Sequence, residues 1–129
     1  MSWCRSIGVM LLMLLMANVT LAAPSHITGK TVLKRCDAAL MYYVEKRRQK
    51  MYDVGWCLGF VKGLSNGYYI GYGDRSDKHG KRYCVPKGVT VGAQIKTIVT
   101  YLKKLDKPKL THNGSALSLF ALLKAYPCQ

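Results

Sequence analysis

Acidic residues are scarce in this chain, which has 6 Asp and Glu residues against 20 Lys and Arg residues. Glu45 is the single glutamate, so a mechanism built on paired carboxylates lacks its parts. There is no Cys-x-x-C pair, no histidine at ligand spacing from a cysteine, and no phosphate-binding loop. These absences argue against the common enzyme and metalloprotein classes. We expect a binding protein with no catalytic residue, no metal and no cofactor.

Long apolar runs are limited to one, Ile7–Val19, which follows Arg5 and precedes small residues and Pro24. A cationic start, an apolar run of this length and a small-residue site are the three parts of a secretory signal peptide. The alternative, a membrane anchor, is disfavoured because the run is too short to span a bilayer comfortably. We expect a signal peptide over residues 1–22, with cleavage after Ala22 or Ala23, and an exported domain over residues 24–129 without a further membrane span.

The exported domain keeps four cysteines, an even number that indicates a disulfide framework in a small exported protein. They are Cys36, Cys57, Cys84 and Cys128. Loss of Arg5 with the leader leaves 19 basic residues against 6 acidic residues, a net charge of +13. Such a charge favours a partner or surface of opposite sign. Nucleic acid is disfavoured, because the domain is exported and has no nucleic-acid-binding motif.

Apolar residues recur at helical spacing in four segments, and alternation long enough for a sheet is absent. The first predicted helix runs from Thr31 to about Met51, and the second follows Asp53, its expected N-cap. The third begins after the N-cap Thr90. The fourth begins after Ser115 and is apolar nearly all round, which predicts a central position. We therefore expect an all-α fold, a small four- to five-helix, disulfide-stapled domain.

Glycine recurs at every fourth position of the second helix, from Gly55 to Gly71. This spacing is a membrane dimer signal only inside an apolar span, and Lys62 and Asn66 interrupt this one. We therefore interpret Gly59 and Gly63 as packing residues that let a neighbouring backbone approach closely.

A polar loop, residues 69–83, separates the second helix from Cys84 and is long for so small a domain. Long loops are often functional, and tyrosines beside cations are favoured at binding surfaces. The alternative is an insert without a role. The residues expected to contact a partner are Tyr72, Asp74, Arg75, Lys78 and Lys81. The loop 106–114 is the second candidate.

Several short motifs occur together in a characteristic order along most of the mature chain. They are Cys36, Cys-Leu-Gly-Phe-Val-Lys-Gly at 57–63, Cys-Val-Pro-Lys-Gly-Val-Thr at 84–90, a Val-x-Tyr-Leu segment ending at Leu102, and Ala-Leu-Leu-Lys-Ala-Tyr-Pro-Cys at 121–128. In this order and spacing the chain resembles the Rap/Tai immunity proteins. Gram-negative bacteria export these proteins to the periplasm to neutralise amidase effectors of type VI secretion.

The resemblance implies a periplasmic, disulfide-stapled helical domain, often a homodimer, that is not itself an enzyme. It implies a partner, a peptidoglycan amidase effector, whose cleft the protein obstructs with a protruding loop. An alternative from another class is a basic envelope protein that binds anionic surfaces or acts as a periplasmic chaperone.

The disulfide pairing follows from how the helices connect. A hairpin of the third and fourth helices would bring Cys84 to Cys128, which leaves Cys36 for Cys57. That second bond requires the first helix to bend or break near Asp37. If the helix is straight, Cys36 lies about 20 Å from the turn, and Cys36–Cys84 with Cys57–Cys128 is the better pairing. We favour the first arrangement.

Overall fold

The structure, a computed structural model, describes residues 26–72 and 84–128. The predicted signal peptide and residues 73–83 of the long loop lie outside these ranges. The helices are α1 (Gly29–Tyr43), α2 (Met51–Tyr72), α3 (Val91–Lys103) and α4 (Gly114–Ala125), with a short 3-10 helix at Lys109–Thr111. The described ranges contain no β-strand, and the all-α class is confirmed.

Helices α1 and α3 form the centre of the domain, because each packs against all three of the other helices. Helices α2 and α4 lie on either side of this pair. The predicted central position of α4 is therefore wrong. Helix α4 buries Ser118, Ala121 and Leu122, but its Phe120 side chain remains 56% exposed. A domain of this size cannot surround every apolar helix, so composition alone does not fix which helix is central.

The core consists of apolar side chains that the four helices direct inward. They are Val32, Cys36, Ala39, Val54, Cys57, Val61, Ile95, Ile98, Val99, Leu102, Ala121 and Leu122. The apolar stripe predicted for the third helix is confirmed, since four of its members are fully buried in α3. The Thr90 cap is also confirmed, because its hydroxyl accepts from the Ala93 N–H at 3.2 Å.

The first helix is shorter than predicted. Helix α1 ends at Tyr43, and residues 44–50 connect it to α2, which begins at Met51. Lys46 has a φ of 55°, in the left-handed region, so the chain cannot continue as a helix there. Asp53 is consequently not the N-cap but lies in the first turn of α2. Periodicity missed this break because basic residues fit an exposed helix face as well as a connection.

The break returns α2 alongside α1, and Arg35 of α1 fixes the two helices together. Its Nε lies 3.6 Å from Asp53 Oδ1. Its guanidinium carbon lies 5.0 Å from the ring centroid of Tyr52 and 4.6 Å from that of Trp56. Each cation–π contact stabilises by about 0.5–1 kcal/mol at a partly exposed site.

The two disulfide bonds are Cys36–Cys57, with Cα atoms 5.1 Å apart, and Cys84–Cys128, with Cα atoms 4.9 Å apart. This is the arrangement favoured from the sequence. The way in which Cys36 reaches Cys57 differs from the predicted one. Helix α1 is unbroken at Asp37, since it runs from Gly29 to Tyr43, and the reversal at residues 44–50 brings α2 back to Cys36.

The N-termini of α1 and α4 meet in a short antiparallel bridge between Thr28 and Asn113. The Gly29 N–H donates to the His112 carbonyl at 3.0 Å, and the Gly114 N–H donates to the Ile27 carbonyl at 2.6 Å. Asn113, not Ser115 as predicted, caps α4, since its side chain accepts from Ala116 N–H at 3.0 Å. The prediction of Ser115 is wrong because the helix begins two residues earlier than expected, at Gly114 instead of Ala116.

Candidate partner-binding surface

The glycine stripe of α2 faces solvent. Gly59 and Gly63 are exposed, and a Cβ atom added to either would meet nothing within 4 Å among the described residues. Gly59 follows Cys57 by two residues, about 200° around the helix, so it lies on the side away from the core. The predicted packing role of Gly59 and Gly63 is therefore wrong for the described part of the chain.

The glycines that do permit close approach are Gly29 and Gly114, where α1 and α4 cross. A Cβ on Gly114 would lie 2.6 Å from Val32 Cγ2 and 2.7 Å from the Thr28 carbonyl oxygen. A Cβ on Gly29 would lie 2.7 Å from Leu117 Cδ1. Neither glycine belongs to a repeat, so the sequence carries no periodic signal for them.

The predicted contact loop lies mostly outside the described residues. Tyr72 is the last residue of α2, and Asp74, Arg75, Lys78 and Lys81 fall in the segment that the structure does not describe. What the structure shows is the end of α2 that leads into the loop. There the side chains of Tyr69 and Ile70 are 78% and 80% exposed. Two large apolar side chains thus face solvent immediately before the predicted contact residues.

The second candidate loop, residues 106–114, is held in place by an ion pair within the loop and by packing against the core. Lys109 Nζ lies 3.1 Å from Asp106 Oδ2. Leu110 packs on the core, and its carbonyl and Cα lie against Gly29. Lys107, Lys109 and His112 project into solvent from this base. The loop can present its polar side chains without ordering a flexible segment.

An open groove separates the middle of α2 from the start of α3. It encloses about 620 Å³, within the range of ligand-sized cavities. We call it the α2–α3 groove. Its apolar lining comes from Tyr43, Val44, Leu58 and Val91, and its charged lining from Lys62 and Lys96. Gly59 and Gly92 also line the groove, and their lack of side chains leaves the space open.

A second groove of about 640 Å³ runs between α3 and α4. We call it the α3–α4 groove. Tyr101, Leu105 and Ala121 contribute apolar surface, while Lys104 and Lys124 contribute charge. Ala93 and Lys96 line both grooves, so the two form one continuous surface along the outer side of α3.

The lysines that line one or both grooves have no acidic partner among the described residues. Among the residues that the structure describes, no acidic side chain lines either groove. Four acidic residues occur in the described ranges, and each is paired with a cation elsewhere: Asp37 with Lys103, Glu45 with Arg47, Asp53 with Arg35, and Asp106 with Lys109. Lys62, Lys96, Lys104 and Lys124 therefore form no ion pair with any described residue. The grooves combine apolar surface with uncompensated positive charge.

Within residues 26–72 and 84–128, no three His, Cys, Asp or Glu side chains come together as a metal site. None of the helices there has the length and apolarity needed to cross a bilayer.

One comparison with known proteins identifies the family. The family model for Rap1a immunity proteins matches residues 28–128, which is most of the chain. The chain belongs to the Rap1a immunity protein family. No curated protein and no solved structure matches it significantly. The Rap/Tai resemblance read from the sequence is thereby confirmed, and proteins of this family are generally non-enzymatic.

The Rap1a match begins at the Thr28 bridge and ends at Cys128, so it covers the bridge and both disulfides. Sequence reasoning missed the two grooves. The sequence identifies Lys62 only as an interruption of the glycine pattern, and nothing in the pattern singles out Lys96. A usable signal was present, because the exposed side of α2 has glycine where a surface helix normally carries long polar side chains.

Proposed function

We propose that this Rap1a family member is exported to the periplasm, where it binds and obstructs a peptidoglycan-cleaving amidase delivered by type VI secretion. The observation that carries the proposal is the family match over residues 28–128. The two disulfides support it, because such bonds persist in oxidising compartments such as the periplasm. The leader over residues 1–22 would supply the export signal.

The proposed obstruction is made by the loop after α2. Its contacts would be Tyr72, Asp74, Arg75, Lys78 and Lys81, with the loop 106–114 as a second contact. The exposed Tyr69 and Ile70 support this assignment, because large apolar side chains beside cations are common in interfaces.

A homodimer is also proposed, and light scattering of the purified protein tests it.

The test uses a candidate amidase effector of type VI secretion, sought among the genes adjacent to the one that encodes this chain. An equimolar amount of purified protein should abolish the effector's cleavage of peptide cross-links in isolated peptidoglycan. The variant R75A/K78A/K81A should bind more weakly, and a variant of matched charge change, K30A/K34A/K46A, should inhibit like wild type. Undiminished amidase activity in the presence of wild-type protein would falsify the proposal.

The alternative is a basic envelope protein that binds anionic surfaces or chaperones other proteins. The uncompensated groove lysines favour it as a second candidate. It predicts broad, salt-sensitive binding without a stoichiometric partner. Saturation at one effector per protein or per dimer argues against this reading, and binding to many unrelated acidic proteins argues for it.

A further inference from the structure

We propose that the α2–α3 groove is the docking surface for the effector. Its occupant is a short effector segment with a large apolar side chain flanked by acidic residues. The inference rests on the proposed function, and it adds to the loop contacts a surface that lies wholly within the described residues.

The shape and apolar lining of the groove indicate that the docked effector segment carries a large apolar side chain. Leu58 and Val91 are half-buried, so part of each side chain faces the open space. Tyr43 and Val44, at the end of α1, are 40% and 57% exposed and form the end of the groove. An inserted apolar side chain would cover all four, and removing such surface from water is the main source of interface affinity.

The charge of the groove determines which polar residues the docked effector segment should carry. Lys62 on α2 and Lys96 on α3 are exposed, and neither has an ion-pair partner among the described residues. The acidic side chains of the described ranges are committed to other cations, so they cannot neutralise this pair. Carboxylates of the effector would therefore meet ammonium groups on both helices that no described carboxylate pairs with, an arrangement that also steers association.

The concave form favours a protein over an anionic membrane or polymer. A lipid headgroup layer is flat and would meet the two lysines without entering the space beside Gly59. A protein segment can fill that space and place carboxylates on its rim. This difference gives a steric test that is independent of charge.

The steric test compares two glycines on α2. Gly59 lines the groove, whereas Gly55, one turn earlier, does not. A Cβ at either position would meet no described atom within 4 Å, so G59L and G55L should both fold, which circular dichroism and thermal unfolding verify. Binding of the purified effector, measured by calorimetry, should weaken at least about tenfold in G59L and change less than about twofold in G55L.

The charge test compares two lysine pairs. K62E/K96E should weaken effector binding at least about tenfold, since like charges at an interface oppose association. The control K30E/K34E makes the same change in net charge on α1, where both lysines are exposed and line neither groove. It should reduce affinity less than about threefold, through the long-range field alone.

The outcomes separate this inference from the proposed function. If wild type inhibits the effector and G59L and K62E/K96E bind it as wild type does, the groove is not the docking surface although the immunity role stands. Equal losses in both lysine pairs, or a loss confined to the charge variants, also overturn the groove. Sedimentation with phosphatidylglycerol vesicles that is lost in G59L, while effector binding is retained, overturns it in favour of a membrane. A wild-type protein that binds no effector refutes both proposals.

Discussion

At the scale of single residues, the glycines of this chain divide into two groups with opposite roles. The five that form a repeat in α2 are exposed, and a Cβ atom added to any of them would meet no described atom within 4 Å. Gly29 and Gly114 belong to no repeat, and they sit where two backbones cross with no room for a methyl group. Spacing along the sequence shows which residues lie on the same helix face as a glycine. Only the packing of the other helices shows whether that face is covered.

This division predicts opposite effects of the same substitution. G59A should raise the free energy of unfolding by about 0.5–1 kcal/mol, because alanine is the better helix former and the site is open. G114A should lower it by about 1–3 kcal/mol, because the new Cβ would overlap Val32 Cγ2 and the Thr28 carbonyl. Urea unfolding followed by circular dichroism measures both. A loss of stability in G59A would restore the packing role that the sequence suggested.

At the scale of elements, the sequence predicted four helices, and residues 26–72 and 84–128 contain four α-helices in the expected order. The amphipathic pattern of α3 and its Thr90 cap were sufficient to place that helix, since a polar side chain at the N-cap and a buried stripe agree. The boundary between α1 and α2 was not predictable. It depends on Lys46 adopting a positive φ within a charged segment, which no local pattern indicates.

The candidate site was less predictable than the fold. A groove depends on the distance between helices that are far apart in sequence, as Leu58 and Val91 are. Charge composition did predict an uncompensated basic surface, because so few acidic residues are available. It could not predict which lysines would be left unpaired, since that depends on which cations Asp37, Glu45, Asp53 and Asp106 reach.

The start of α4 offers a test at this scale. N113A should lower the free energy of unfolding by about 1 kcal/mol, because it removes the side-chain acceptor for Ala116 N–H. S115A, two residues later, should change it by less than about 0.5 kcal/mol, the usual range for a substitution away from such features. Chemical denaturation of the two variants in parallel shows which residue is the cap. A larger loss of unfolding free energy in S115A than in N113A would identify Ser115 as the cap.

At the scale of the whole molecule, a small core is supplemented by two covalent links. In a domain of this size the buried surface leaves a modest margin of stability. The Cys36–Cys57 bond joins α1 to α2, and the Cys84–Cys128 bond joins the segment before α3 to the end of the chain beyond α4. The first bond links α1 and α2 directly, and the second links α3 and α4 through the segments next to them.

Removal of either bond should destabilise the domain by an amount that follows the length of the closed loop. The chain-entropy model gives about 3 kcal/mol for the 21-residue separation of Cys36 and Cys57, and about 4 kcal/mol for the 44-residue separation of Cys84 and Cys128. Unfolding of C36A/C57A and C84A/C128A in urea measures the two losses. Unchanged midpoints would show that packing alone holds the helices.

The connectivity also bears on how the protein acquires its fold. Each of the four cysteines in the described ranges is bonded to the next cysteine along the chain: the first pairs with the second, and the third with the fourth. In a chain that enters an oxidising compartment from its N-terminus, Cys36 and Cys57 emerge together before Cys84 can compete. Indiscriminate oxidation in order of arrival therefore yields the native bonds, and a later reshuffling step by thiol exchange is unnecessary. For the exported immunity protein proposed above, maturation would then be limited by translocation of the polypeptide, so protection could begin soon after the last cysteine crosses the membrane.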